Sequence, residues 1–209
     1  MLYTGKRWSN AIDGILYMYM IRKRVLRWVD RFVRLPTVGF DISDLSVKYL
    51  EFIPHGDKIS VGHFGELVLP EGLVVKGEIV RGEELADLFK EWAAKEGKAL
   101  RSHFFTVSLP EEKSYLRVIQ LPKIKHEEVP NAIRWEIEAN IPLPLDELVF
   151  DYEIVGSAEN NLDHLDVAIT AFPRSIVESY VHTFESAGLN LFALELESLA
   201  LVRAVARDL

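Results

Sequence analysis

The strongest constraint on the fold lies between Val38 and Phe52, where apolar residues alternate with small or polar ones on both sides of Asp41-Ile42-Ser43-Asp44-Leu45-Ser46. Successive strand side chains point to opposite faces, so the pattern predicts two strands joined by a tight polar turn. Asp41 then ends the first strand and Lys48 opens the second. A third strand-like run, Lys58 to Leu69, follows Pro54-His55-Gly56-Asp57, residues that favour chain reversal. The three runs together read as an antiparallel meander.

Downstream, strand-like and helix-like patterns alternate. Gly72 to Val80 reads as a further strand. A helix is expected from about Gly82 to Lys95, with Leu85, Leu88, Phe89, Trp92 and Ala93 on one face and Gly97 just past its end. His103 to Leu109 and Ser114 to Leu121 read as strands joined by Pro-Glu-Glu-Lys. His126-Glu127-Glu128-Val129-Pro130 opens a second helix, its acidic first turn complementing the helix dipole, and Pro142 and Pro144 prevent its continuation. Strands at Leu148 to Gly156 and Leu165 to Phe172 flank a polar loop, Ser157 to Asp163. A helix at Ser175 to Ala187, closed by Gly188, an apolar strand at Leu191 to Leu196 and a helix at Glu197 to Asp208 complete the pattern.

Charge and composition narrow the function. The 209 residues, 49% hydrophobic and 27% charged, suit an ordinary globular protein of one large domain or two small ones. The absence of cysteine excludes disulfides, zinc-thiolate sites and thiol nucleophiles. Net charge is -8, but residues 1–35 carry eight cations against Asp13 and Asp30, a balance of +6 that leaves -14 elsewhere. So acidic a body argues against nucleic acid as partner, because neutralising phosphates takes clustered cations.

The cationic arm is amphipathic. Ile21, Val25, Trp28, Val29 and Phe32 recur at helical spacing among Arg22, Lys23, Arg24, Arg27 and Arg31. Its uninterrupted apolar part, Gly14 to Ile21, is too short to span a bilayer, and no small-residue cleavage site follows it. Two structural expectations remain: an interfacial helix making peripheral contact with anionic lipid, or a helix docked on a partner or on the domain itself. A third expectation, left open beside these two, is that translation starts at Met18 or Met20, which would leave only a short basic helix.

Motifs for ordinary enzyme chemistry are lacking. The six histidines show no paired ligand spacing, and Asp163-His164-Leu165-Asp166 reads as a solvated turn. No Gly-x-Ser-x-Gly, His-Glu-x-x-His or Walker-type loop occurs.

Five collinear pieces carry a resemblance. They are Val38 to Lys48; Leu69-Pro70-Glu71-Gly72 leading to Lys76-Gly77-Glu78-Ile79-Val80; Arg117 to Leu121; Ile133 to Leu148, with its Ile-Pro-Leu-Pro-Leu-Asp-Glu-Leu; and Ser186-Ala187-Gly188-Leu189 through Leu194 to Leu201. In this order they resemble the PilM family of type IV pilus assembly proteins, relatives of the division protein FtsA. The resemblance implies an α/β, actin-like (ribonuclease H-like) ATPase-fold lobe with a mixed sheet and an inserted small α+β subdomain. It further implies a main subdomain at about 36–100 and 173–209, an insert at about 101–172, and an arm, 1–35, outside the family. The family's second lobe, which holds most of the adenosine pocket, has no counterpart in these residues, so the chain is expected to be a first lobe alone. Self-association through the bared inter-lobe surface is expected with it.

Two functions follow from the resemblance. One is a cytoplasmic scaffold at the inner face of the inner membrane, whose groove between subdomains holds an apolar amino-terminal peptide of a PilN-type protein. The groove is expected to involve Arg117, Ile119, Trp135, Pro142, Leu143, Pro144 and Leu145. The other is an ATP-dependent switch or ATPase. Asp41 matches the loop carboxylate that acts on the nucleotide's magnesium through water, Lys48 the lysine that reaches phosphate, and Glu197 the residue that orients attacking water. Glu197 also reads as a plain helix-start carboxylate. Ser43 stands where the loop has glycine and Asp44 where it has a hydroxyl residue, so a side chain and a negative charge are expected beside the phosphates.

Overall fold

A computed structural model describes residues 37–205 apart from 56–57, 123, 126 and 156–163. The cationic arm, part of the Pro54–Asp57 turn and the polar loop before His164 lie outside the described residues.

The meander forms as its alternation predicts. Strands β1 (Val38–Ile42), β2 (Ser46–His55) and β3 (Lys58–Val68) pair antiparallel in sequence, with Asp41 directly opposite Lys48. Two later strands, β6 (Phe104–Leu109) and β10 (Asn190–Leu196), join parallel to β1, giving a mixed five-stranded sheet in the order β10-β6-β1-β2-β3. Helices α1 (Gly82–Lys95) and α3 (Arg174–Ser186) pack on one face of it. Leu85, Phe89 and Trp92 come from α1, Val177, Tyr180, Val181 and Phe184 from α3, and Val38, Phe40, Val107 and Leu196 from the sheet. Phe40 is the hub, with edge-on rings of Phe89, Trp92, Phe105 and Phe184 at 5.0 to 5.9 Å. Burying one such ring is worth about 2–3 kcal/mol, and ring-edge geometry adds to it. The last described helix, α4 (Glu197–Val205), follows β10 and contacts β10 and β6.

A second core lies in the middle of the chain. Strands β7 (Tyr115–Pro122), β8 (Leu148–Ile154) and β9 (His164–Pro173) form an antiparallel sheet in the order β7-β9-β8. Helix α2 (Val129–Asn140) lays Val129, Ile133 and Ile137, spaced four apart, on the sheet face carrying Leu121, Leu148, Val167 and Ile169. Its opposite side leaves Trp135 71% exposed.

Two expectations need correction. The segment Gly72 to Val80 is a small hairpin, β4 (Val74–Val75) and β5 (Glu78–Ile79), around a turn in which Lys76 and Gly77 have φ of 50° and 72°. Two positive φ values in succession reverse the chain at once and so divide the run. The strands expected at His103 to Leu109 and Ser114 to Leu121 form, as β6 and β7, and belong to different sheets. Pro110 and a 3-10 turn, Glu111–Lys113, carry the chain from the large sheet into the small one. The second correction concerns the insert boundary expected near residue 101, which falls after β6, because β6 is hydrogen-bonded between β1 and β10.

One buried carboxylate joins the layers. Glu51, 1% exposed, accepts the backbone N–H groups of Arg101 and Ser102 at 2.9 and 2.7 Å and faces His63 Nδ1 at 3.1 Å. Three partners meet the requirement that a buried charge be hydrogen-bonded, and they fix the entry into β6.

Candidate functional site

Two concavities flank β10. The first is a cleft of about 380 Å³ lined by Asp41, Lys48, Thr106, Ser108, Glu195, Glu197 and the α4 residues Ala200 and Leu201. Asp41 and Lys48 meet there because opposed residues of an antiparallel pair share a face. Glu197 joins them from the start of α4, and Ser108 Oγ donates to Asp41 Oδ1 at 2.9 Å. Asp41, Lys48 and Glu197 are thus brought together, whereas Ser43 and Asp44 do not line the cleft.

The turn between β1 and β2 is closed on itself. Ser43 N–H donates to Ser46 C=O at 2.9 Å, Ser43 Oγ donates to the same oxygen at 2.8 Å, and Ser46 N–H donates to Ser43 Oγ at 3.2 Å. Asp44, expected beside phosphate, points instead at the β4–β5 turn. Its two oxygens accept Lys76 N–H at 2.9 Å and Gly77 N–H at 3.1 Å. Those two hydrogen bonds hold the Asp44 carboxyl below its ordinary pKa.

A polyphosphate is held by loop N–H groups directed at it. Here the Ser43 and Ser46 amides serve the loop itself, and the cleft sets the carboxylates of Asp41 and Glu197 against the ammonium of Lys48, while Glu195 is ion-paired with Arg203. These residues do not fit the nucleotide and magnesium that the resemblance implies. Among the described residues no group of three His, Cys, Asp or Glu is placed to hold a metal.

The second concavity is an apolar groove of about 180 Å³ between the two sheets. Leu109, Phe172 and the α3 residues Val177 and Val181 line it together with β8 on one side, β10 on the other, and Leu199 and Arg203 of α4. Among the described residues β8 and β10 are edge strands, each last in its sheet. Of the groove residues expected from sequence, none lines it. Ile119, Leu143 and Leu145 pack into the second core, while Arg117, Trp135, Pro142 and Pro144 face outward. The reason is geometric: α2 and the proline corner lie with the face of the small sheet turned away from the groove. What lines it instead is β8, β9, β10 and α4, whose apposition depends on two sheets meeting edge to edge and leaves no local signature in sequence.

A family model described as "Type IV pilus assembly protein PilM" matches residues 39–209. The chain belongs to this family. Among solved structures, the chain is similar to one in a PilM–PilN type IV pilus biogenesis complex, with 25% identity and a TM-score of 0.72 over 84% of this chain and 52% of that one. It thus spans about half the length of that PilM-family structure. The cytoplasmic domain of EpsL, an inner-membrane component of the Vibrio cholerae type II secretion system, aligns at 12% identity and TM-score 0.50, over 77% of this chain and 57% of that one. A Bacteroides thetaiotaomicron protein described as having an actin-like ATPase fold aligns at 13% identity and TM-score 0.40, over 83% of this chain and 56% of that one. The fold is of mixed α/β class, its large sheet combining parallel and antiparallel pairs, and it is shared with the chain of the PilM–PilN complex. No helix among the described residues is long and apolar enough to cross a membrane.

Proposed function

We propose that this member of the PilM family acts as a scaffold in type IV pilus assembly, at the cytoplasmic face of the inner membrane, by holding the amino-terminal peptide of a PilN-type protein. The observation that carries the reading is the apolar groove of about 180 Å³ between β8 and β10, the last strands of their sheets among the described residues. Burying apolar side chains there supplies a driving force of about 25 cal/mol per Å² of apolar surface removed from water. The likeness to a chain of a PilM–PilN complex names the class of partner. A scaffold needs no nucleotide, which accords with a β1–β2 turn whose Ser43 and Ser46 amides bond within the turn.

Calorimetric titration of the chain with a synthetic peptide of the first twelve residues of the same organism's PilN tests the reading. Saturable binding that is unchanged by magnesium and ATP is expected. Peptide binding that requires ATP, or tight magnesium-dependent ATP binding by the chain alone, overturns it in favour of a nucleotide switch built on Asp41, Lys48 and Glu197.

A further inference from the structure

We infer that the cationic arm of this chain docks on the face of the large sheet opposite α1 and α3, laying its apolar stripe, Ile21, Val25, Trp28, Val29 and Phe32, across β1, β2 and β3. Docking there is independent of the peptide groove between β8 and β10.

Register identifies the face. Phe40, Val47 and Phe105 pack toward α1 and α3 in the core, and residues opposite one another in a ladder share a face. The alternate residues therefore point the other way. They are Gly39 with its partner Leu50, Phe64 opposite Leu50, Phe52 opposite Val61, and Phe104 next to Phe105. Helix α4 lies over β10 and β6. Toward β2 and β3 the side chains of Phe52, Val61 and Phe64 are exposed, Phe64 to 71%. Apolar surface clustered in this way marks an interaction site.

The face has a trough along β1. Gly39 puts no side chain between Leu50 on β2 and Thr106 on β6, so Phe52 and Phe64 rise on one side and Phe104 on the other. A Cβ at Gly39 would meet only the Leu50 carbonyl oxygen, at 3.7 Å. No described neighbour requires the trough to stay empty. An amphipathic helix seats its apolar stripe in such a groove.

Position names the occupant. Val38, the first residue of β1, lies opposite Glu51 and Phe105, one residue from Phe52 and Phe104. The arm thus joins the sheet where the trough begins. Pro36 disfavours helix at Leu35, and residues 33–37 reach up to roughly 17 Å, room for the chain to turn back over the face. Ile21 to Phe32 as a helix would span about 18 Å, more than the ~14 Å across β6, β1, β2 and β3. The tether sets an effective concentration on the order of millimolar, which favours the chain's own arm over that of a second copy.

Charge agrees with position. The arm carries +6 and the remainder -14. On the free face Asp41, Glu66 and Glu197 surround Lys48, while Glu195 and Arg203 pair with each other. The cations beside the stripe complement those carboxylates. The family match begins at residue 39, so the docked arm lies outside what the chain shares with the family.

The chain has no cysteine, so a single introduced thiol reports cover directly. Maleimide labelling of Phe64→Cys in the full chain is compared with that of Trp135→Cys, on the outer side of α2, and repeated with Val25→Asp and Val29→Asp added together. Labelling of Phe64→Cys should be at least tenfold slower than that of Trp135→Cys and should rise at least tenfold when the two aspartates charge the stripe. Equal rates at Phe64→Cys with and without the aspartates overturn the docking. Protection that is lost on dilution assigns the face to a second copy, and protection seen only with phosphatidylglycerol vesicles assigns it to a lipid surface; either result overturns docking within one chain. Gly39→Leu, whose Cβ meets nothing closer than 3.7 Å, fills the trough from within. It should raise Phe64→Cys labelling at least threefold with circular dichroism unchanged, and an unaltered rate overturns the trough as the seat of the arm.

Discussion

The carboxylate of Asp44 accepts the backbone N–H of Lys76 at 2.9 Å, and its second oxygen accepts that of Gly77. The β1–β2 turn is thereby joined to the β4–β5 turn, two loops about thirty residues apart in sequence. Backbone amides donated to an ionised carboxylate are stronger than neutral pairs. Asp44→Ala should cost about 1–2 kcal/mol in urea unfolding at neutral pH, after discount for solvent access. Because folding lowers the Asp44 pKa, its contribution is complete above the ordinary carboxylate range and disappears as pH falls through the lowered folded-state value. Unfolding free energies of wild type and Asp44→Ala measured from pH 7 to 2.5 should therefore converge at the acid end.

The same hairpin is held from beneath by Tyr180, whose hydroxyl donates to Gly77 C=O at 2.8 Å within the core. Tyr180→Phe leaves that carbonyl without its donor and should cost about 1–2 kcal/mol. Burial raises the phenol's pKa, with the Asp41 and Asp44 charges acting in the same direction. The neutral form is thus favoured by folding. Its stabilisation is complete below the ordinary tyrosine pKa of about 10 and is lost as pH climbs beyond it. Wild type should lose stability more steeply than Tyr180→Phe between pH 9.5 and 11, as read by thermal melts.

Gly77 serves two purposes, and both forbid a side chain. Its φ is 72°, and a Cβ there would meet Pro110 Cβ at 2.4 Å. Gly77→Ala should therefore destabilise by more than about 2 kcal/mol, from left-handed backbone strain plus the displacement of Pro110. Lys76 has φ of 50° without glycine's freedom. Lys76→Gly should accordingly be neutral or stabilising by up to about 1 kcal/mol, since the Asp44 hydrogen bond uses its backbone N–H and the Lys76 charge is the smallest of the influences on Asp44. Chemical denaturation of the two variants side by side checks the opposite signs.

Much of this architecture is legible in the sequence because periodicity is a local property. The alternation from Val38 to Phe52 and the four-residue spacing of Ile133 and Ile137 each report a buried face directly. The meeting of Asp41 with Lys48 also follows from local register once the hairpin is accepted. Pairings made at a distance were not legible. Nothing near Leu109 or Ser114 shows that consecutive strands part company at Pro110, and nothing near Asp44 points to Lys76. The apolar groove is the extreme case, since Val149 and Leu194 approach only because two separate sheets end side by side. Trp135, the most conspicuous aromatic of its helix, drew attention by type, while its place on the outer side of α2 depends on which face packs.

That contrast gives a paired test of where the partner binds. Thr170 lies on β9 within the groove and is half-buried, so Thr170→Arg fills the groove and adds a bulky cation without removing a core side chain. Over-filling a packed site forces neighbours aside at a cost of about 1–3 kcal/mol, here charged against the ligand that would occupy the space. The PilN dodecapeptide should lose at least tenfold in affinity. Trp135→Ala removes a large exposed ring from the far side of α2, where the groove has no lining, and should leave affinity within twofold. Far-ultraviolet circular dichroism and melting temperature, recorded for both variants, separate loss of binding from loss of fold. Should Trp135→Ala abolish binding while Thr170→Arg leaves it intact, the partner sits on the outer face of α2 and the groove between β8 and β10 serves another purpose.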